Sequence, residues 1–361
     1  MLRIKHSAQI LALMVCSTLL SVHAATSTTN APTTPPPIIN FTKQKNVQEF
    51  IDKMVTQYHF SREKLNIWFT QAQYSQRTIE LMTRPFEAKP WYQYQPHFIS
   101  PQRINGGVEF WHKYADVLKT VEQRTGVPPE VIVSIIGVES QYGTVSGQFS
   151  VFNVLATLSF DYPSRAEFFS KELSEFLILC REQGWDPLLI KGSYAGALGQ
   201  PQFMPSSYRY YAVPYAANTN KVNLFNFEPD VIASIGNYFK RSGWVAGQPV
   251  AVLAKVTGTK YQQLPAIAGK AKLQKPTITL AEFRKNYGVT PAGHYPDDLK
   301  AIFLVYNLEN SDEYWLGFNN FYAITRYNVS KHYALAVYQL SEAIKVQYEK
   351  TYPTNSTSET K

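Results

Sequence analysis

The sequence predicts a mainly α-helical protein of the α+β class that carries one small strand-rich insertion. Three observations carry that expectation. Apolar residues recur at three- and four-residue steps, as in Phe50, Ile51, Met54, Val55 and Tyr58. The run Val131 to Val138 is apolar almost all round, the mark of a helix buried on every side. After Trp244 the texture changes: residues 249–256 (PVAVLAKV) are β-prone, and Gly and Pro become frequent up to about residue 298. With 361 residues, 45% of them hydrophobic, the chain can fill a sizeable core built from two or three sub-domains.

The elements follow in order. Residues 1–24 read as a secretory signal peptide. Arg3, Lys5 and His6 form a basic start, Ile10 to Leu20 is a short apolar run, and Val22-His23-Ala24 is a small-residue cleavage site. The apolar run is too short to span a bilayer. Cys16 lacks the small preceding residue that lipid attachment wants, since Met14 and Val15 stand there, so an unlipidated exported protein is expected. Residues 25–40 are a Thr/Pro-rich disordered tether. Helical pattern starts near Val47, and a second helix is expected from Val108 to Arg124. Pro128-Pro129-Glu130 marks the start of the apolar helix, with an acid in its first turn. Further helices are expected over Ser164 to Glu182, stopping near Gly184, over 229–242, and over Tyr333 to Tyr348. The strand insertion spans 245–298 and the tail 351–361 is disordered.

Charge and cysteines narrow the function classes. Losing Arg3 and Lys5 with the signal peptide takes the formal charge from +8 to +6, a mild excess that suits an anionic substrate. No zinc-finger spacing, RNA-recognition signature or dense Lys/Arg stripe points to nucleic acid. Only Cys180 remains after cleavage, so no internal disulfide forms. It lies in the apolar run FLILC and reads as a buried, inert thiol.

Two stretches carry chemistry. Glu139 closes the apolar helix, in VIVSIIGV followed by ESQYG, and Gly143 and Gly147 stop the helix soon after. A carboxyl group on a buried helix resists losing its proton, and a retained proton can be given to a leaving oxygen. An ion-paired helical Glu is the bland alternative. Residues 191–208 (KGSYAGALGQPQFMPSSY) mix small residues with Ser193, Gln202 and Ser206 and with the rings of Tyr194, Phe203 and Tyr208. Sugars are bound by such a mixture, although a packed helix–loop junction has the same composition. Aromatic clusters at 91–94, 208–211 and 314–327 either pave a groove or fill the core.

Five blocks in order resemble the membrane-bound lytic murein transglycosylase B family of glycoside hydrolases. They are GVPPEVIVSIIGVESQYG (126–143), LATLSFDYPSRAEFF (155–169), KGSYAGALGQPQFMPSSYRYYAV (191–213), IGNYFKRSGW (235–244) and WLGFNNFYAITRYNVS (315–330). The resemblance implies a lysozyme-like helical core over 116–244, an α domain from both chain ends (41–115 and 299–350) and the small β domain. It implies cleavage of the β-1,4 bond between N-acetylmuramic acid and N-acetylglucosamine, leaving a 1,6-anhydro end. It places Glu139 on the catalytic glutamate and Ser193 on the serine that orients the N-acetyl group. Tyr327 and Asn328 fall on active-site positions, and Gln202, Phe203, Tyr94 and Tyr238 on glycan contacts. Arg165 falls on one of two arginines near the peptide carboxylates. The partner it implies is peptidoglycan, with cell-wall synthesis or division proteins as further candidates, in a monomer of the Gram-negative periplasm.

Two departures stand out. The first of the two arginines is Ser164 here. Where some relatives carry a calcium loop, this chain has VPYAANTNKVNLFN, with Asn218, Asn220, Asn223 and Asn226 but no carboxylate, so neither metal nor other cofactor is expected. Rival readings are a hydrolytic muramidase that uses Asp161 as second carboxylate, and a silent glycan-binding protein.

Overall fold

The computed structural model describes residues 40–83, 89–217, 219, 221–264 and 273–353. The signal peptide, nearly all of the tether, Cys16, Asn218, Asn220 and the tail from 354 lie outside the described residues.

The helices, in chain order, are α1 (Lys45–Tyr58), α2 (Arg62–Gln71), α3 (Gln76–Met82), α4 (Trp91–Phe98), α5 (Pro101–Lys113), α6 (Ala115–Thr125) and α7 (Pro129–Ser140). They continue as α8 (Val151–Phe160), α9 (Ala166–Gln183), α10 (Pro205–Tyr211), α11 (Glu228–Arg241), the one-turn α12 (Leu280–Glu282), α13 (Asn319–Tyr327) and α14 (Lys331–Thr351). The strands are β1 (Phe149–Ser150), β2 (Lys191–Gly192), β3 (Ala251–Val256), β4 (Ile278–Thr279), β5 (Val289–Pro291), β6 (Lys300–Asn307) and β7 (Asp312–Gly317). The predicted mainly α class is thus observed.

The described residues form two compact units, one from 40–83 and 145–210 and the other from 89–144 and 211–353. The block 116–244, expected as one core, contributes to both. In the first unit α8 and α9 pack together and α1 to α3 lean on them. Its centre is aromatic: Phe69 meets Phe50 at 5.9 Å, Phe152 at 5.2 Å and Phe160 at 6.0 Å between ring centroids, edge-on or tilted as ring quadrupoles prefer. Helix α9 stops at Gly184 in the left-handed conformation, as the sequence predicted.

In the second unit α7 is surrounded by α5, α6, α11 and α14. All twelve of its residues are buried, which is why its sequence is apolar all round. The expected helix over Val108 to Arg124 is instead two helices, broken at Tyr114 (φ −115°, ψ 26°). No Pro or Gly marks that break, and a one-residue interruption hardly disturbs the apolar spacing.

The β unit reaches further than the predicted 245–298. Its five antiparallel strands run in the order β4-β6-β7-β3-β5, and the central pair β6 and β7 lies at 300–317, where helical structure was expected. The six residues AIFLVY of β6 form an unbroken apolar run because this inner strand is largely buried, and such a run lacks the alternation that betrays a half-exposed strand. Leu280, Phe283, Val289, Phe303 and Leu316 fill the core beside the sheet.

Candidate functional site

Glu139 lies in the last turn of α7 and is only 4% exposed. Its Oε1 accepts a hydrogen bond of 2.7 Å from the hydroxyl of Tyr333, in the first turn of α14. Burial and the negative end of the helix dipole penalise a charge on this carboxyl, while the Tyr333 donor stabilises it. Burial and the nearby Glu139 push the phenols of both Tyr333 and Tyr327 well above the ordinary value, so both stay neutral donors.

The helix end that presents Glu139 is locked. Gln141 (φ 48°), Tyr142 (φ 60°) and Gly143 (φ 83°) are successive left-handed residues, two of them not glycine. The turn is held by Gln141 N–H to Gly137 O, Tyr142 N–H to Ile136 O, and Gly143 N–H to Ser140 Oγ. Arg103 of α5 donates to the Gly137 carbonyl, and Tyr142 donates its hydroxyl to the Arg103 carbonyl at 2.6 Å. Tyr142 fits a slot between Gly106 and Gly107 of α5 and Gly137 of α7: a Cβ on Gly106 or Gly137 would collide with its ring, and one on Gly107 would meet Ile344 and the Tyr142 hydroxyl.

Beside this lies the turn between α13 and α14. Tyr327 is buried and lies parallel to Tyr333, with centroids 6.3 Å apart and planes within 8°. Asn328 accepts from Ser330 N–H at 3.0 Å, while its buried Nδ2 has no acceptor among the described residues. Ser330 caps α14 by accepting from Tyr333 N–H. Tyr238 packs on Tyr327 at 4.8 Å and on Tyr211 at 4.3 Å, and donates to the Arg326 carbonyl. Tyr94 is fully buried among Trp91, Phe98 and His332. Neighbouring protein rings thus pack against each of Tyr94, Tyr238 and Tyr327.

The other unit holds Ser193, Gln202 and Phe203. Ser193 is wholly buried, and its Oγ accepts from Ala195 N–H (3.1 Å) and Ala197 N–H (2.9 Å), leaving the O–H proton to be donated. Gln202 adopts a left-handed φ of 51°, and its amide nitrogen donates to Gly199 O at 2.7 Å. Its buried Oε1 has no donor among the described residues. Leu198 and Phe203 pair through their backbones. The loop is fastened by Glu172 of α9, whose carboxylate takes both Ser206 N–H (2.9 Å) and Ser206 Oγ–H (2.6 Å). Burial pushes that carboxyl upward, and the two Ser206 donors oppose the rise.

A family model, the transglycosylase SLT domain, matches residues 42–342 of the chain. The chain belongs to that lytic transglycosylase family. It is 42% identical over 315 residues to the membrane-bound lytic murein transglycosylase B of Escherichia coli K12, with 84% of each chain covered. Among family structures, the soluble lytic transglycosylase SltB1 of Pseudomonas aeruginosa matches at a TM-score of 0.76 and 44% identity, over 84% of this chain and 99% of that one. The Escherichia coli lytic transglycosylase Slt35 in complex with calcium matches at 0.76 and 40% identity, covering 86% and 95%.

In this family member the loop after Tyr211 is held by its own side chains. Asp230 accepts from Tyr215 N–H (2.8 Å) and Asn223 N–H (2.9 Å), Ser234 bonds Val213, and Asn237 donates to Tyr211 O. Asn223 and Asn226 bond each other and the local backbone. Among the described residues no group of three or more His, Cys, Asp or Glu side chains could hold a metal.

The remaining predicted residues fall in the first unit. Arg165 lies over Phe168 at 4.6 Å and Phe169 at 5.0 Å and pairs with no carboxylate among the described residues. Asp161 caps the C-terminal end of α8. Burial raises its carboxyl above the ordinary range while a bond to Gln44 opposes the rise, and its Oδ2 has no partner. Cys180 is buried, and burial pushes its thiol far up, as expected of an inert thiol. Sequence reasoning missed Tyr333, Arg103, Tyr142 and Glu172. For Tyr333 a signal existed: Ser330 is an N-cap residue, and Tyr333 stands three places on, in the first turn of the helix behind the RYN motif.

Proposed function

We propose that the chain cleaves peptidoglycan glycan strands as a lytic transglycosylase, with Glu139 as the single acid/base. One observation carries this reading: the carboxyl of Glu139 is buried at a locked helix end with a neutral phenol as its hydrogen-bond donor, in a chain of this family. Glu139 protonates the glycosidic oxygen as N-acetylglucosamine leaves. The N-acetyl carbonyl of the muramic acid closes on C1 to form an oxazolinium-like intermediate. Glu139 then takes the proton of the C6 hydroxyl as that oxygen attacks C1, which gives the 1,6-anhydro end. Substrate assistance makes a second carboxylate unnecessary. Ser193 orients the N-acetyl group through its remaining O–H, a positioning role. The buried Nδ2 of Asn328 is a further donor for substrate in the unit that holds Glu139, and glycan contacts are assigned to Gln202, Phe203, Tyr94, Tyr238 and Tyr327 by the family positions they occupy. Arg165, with no ion pair among the described residues, is suited to stem-peptide carboxylates.

A hydrolytic muramidase would need a second carboxylate such as Asp161, whose carboxyl burial raises above its ordinary range, and reducing rather than anhydro ends would mark that reaction. The signal-peptide pattern supports export to the periplasm. No described helix is long and apolar enough to cross a membrane.

The test is Glu139→Gln on purified sacculi, with products read by mass spectrometry. The parent releases 1,6-anhydro ends, and the variant keeps glycan binding while turnover falls by about 10³-fold or more, the scale of a lost general acid/base. Reducing ends from the parent, or a fully active variant, would overturn the assignment.

A further inference from the structure

Arg326 opens the RYN motif at the end of α13, within the cluster around Glu139, and none of the roles above uses it. Its guanidinium lies over the Tyr322 ring at 4.3 Å, and Nη2 donates to Thr325 Oγ1 at 3.1 Å. Its Nε–H is buried without an acceptor among the described residues. Among the described residues no carboxylate lies within ion-pair distance of it, whereas on the same chain Arg209 is held by both Glu175 and Glu182, though several other arginines share the lack of an ion pair. Its backbone carbonyl is tied to the Tyr238 hydroxyl, and its charge bears on that phenol. Two residues on, Asn328 Nδ2 is another buried donor with no acceptor among the described residues. A partly buried cation that is fixed by a ring and a hydroxyl, yet left uncompensated, is costly to the fold alone. The same arrangement is prepared for an anion, because a guanidinium offers several N–H donors in a plane that matches a carboxylate.

We propose that Arg326 is a specificity-determining residue that takes a carboxylate of the peptide stem on the muramic acid. The inference rests on the reading of the chain as a peptidoglycan-cleaving enzyme. Burial of the cation is compensated only once a stem carboxylate arrives, so strands that carry stems bind better than bare glycan. With Ser164 replacing one of the arginines implied by the resemblance, the chain has a cation at a different position to do this work.

The test compares Arg326→Ala and Arg326→Lys with the parent on two substrates: strands bearing stem peptides, and the same strands stripped of stems by an amidase. For the Ala variant, kcat/KM on stem-bearing strands falls about ten- to a hundredfold, the scale of one charge-assisted hydrogen bond, and the loss lies in KM. The Lys variant falls between, and rates on stripped glycan stay within about twofold. A further arm needs no variant: parent enzyme on stems whose carboxylates are amidated loses a similar factor. Equal loss on both substrates, no loss on either, or indifference of the parent to amidation overturns the inference alone. A parent idle on every substrate overturns the reading of the activity and the inference with it.

Discussion

In the proposed mechanism the pairing of Glu139 with Tyr333 is the smallest unit on which the chemistry depends. One phenol proton stabilises the ionised carboxyl inside an apolar setting that otherwise favours the neutral acid. Removing that donor tilts the balance toward the protonated form. In Tyr333→Phe the limb of the kcat profile that falls with rising pH moves upward by about one unit, as expected for a hydrogen bond worth roughly 1–2 kcal/mol. Initial rates across pH 4 to 9 check this, and an unmoved or downward-shifted limb removes the phenol from the argument. At this scale the sequence went far. It named Glu139 because the apolar run before it and the glycines after it are local features. It could not name Tyr333, since the two residues meet only when α14 packs on α7, 194 positions apart.

Helix α7 shows how an element aims a side chain. Its start is written in Pro128, Pro129 and Glu130, and its apolar girth in the run Val131 to Val138, where only Ser134 is polar. Its end is different. The sequence suggested that Gly143 and Gly147 stop it, whereas the helix ends at Ser140 and turns through left-handed Gln141 and Tyr142. That turn persists because Tyr142 is slotted against Gly106, Gly107 and Gly137 and bonded to Arg103 O. Gly137→Ala therefore forces a methyl group into the Tyr142 ring and destabilises the protein by about 1–3 kcal/mol, despite the better helix propensity of alanine. Turnover falls with it, because the Glu139 turn shifts. Thermal melting and kcat measured together decide, and a more stable, fully active variant would show that the slot has slack.

Across the whole molecule, burial of polar groups makes stability depend on pH. His332 is pushed down to about 4, chiefly by burial and then by neighbouring Lys331. Its unfolded value is near the ordinary 6.5, so between pH 6.5 and 4 the unfolded chain binds the proton that the folded chain refuses. Stability is therefore lost as pH falls through that window. His332→Gln removes this contribution, and its Tm declines less steeply than that of the parent from pH 7 to 4. Parallel slopes in the two proteins would show that the Trp91, Tyr94 and Tyr306 rings around His332 hold it without shifting its proton.

The sequence by itself determined the mainly α class, the strand character after Trp244 and the buried helix leading to Glu139. Each of these is encoded in local periodicity or composition, which survives whatever the rest of the chain does. Tertiary structure alone decided that β6 and β7 belong to the sheet, since an apolar run is mute about helix or strand until its neighbours pair with it. It also decided that the aromatic clusters are largely core, that Glu172 pins the 193–208 loop, and that Asp230 fastens the loop after Tyr211. Those facts are contacts between residues distant in the chain, and the free energy that fixes them comes from burial and hydrogen bonding that no single segment contains.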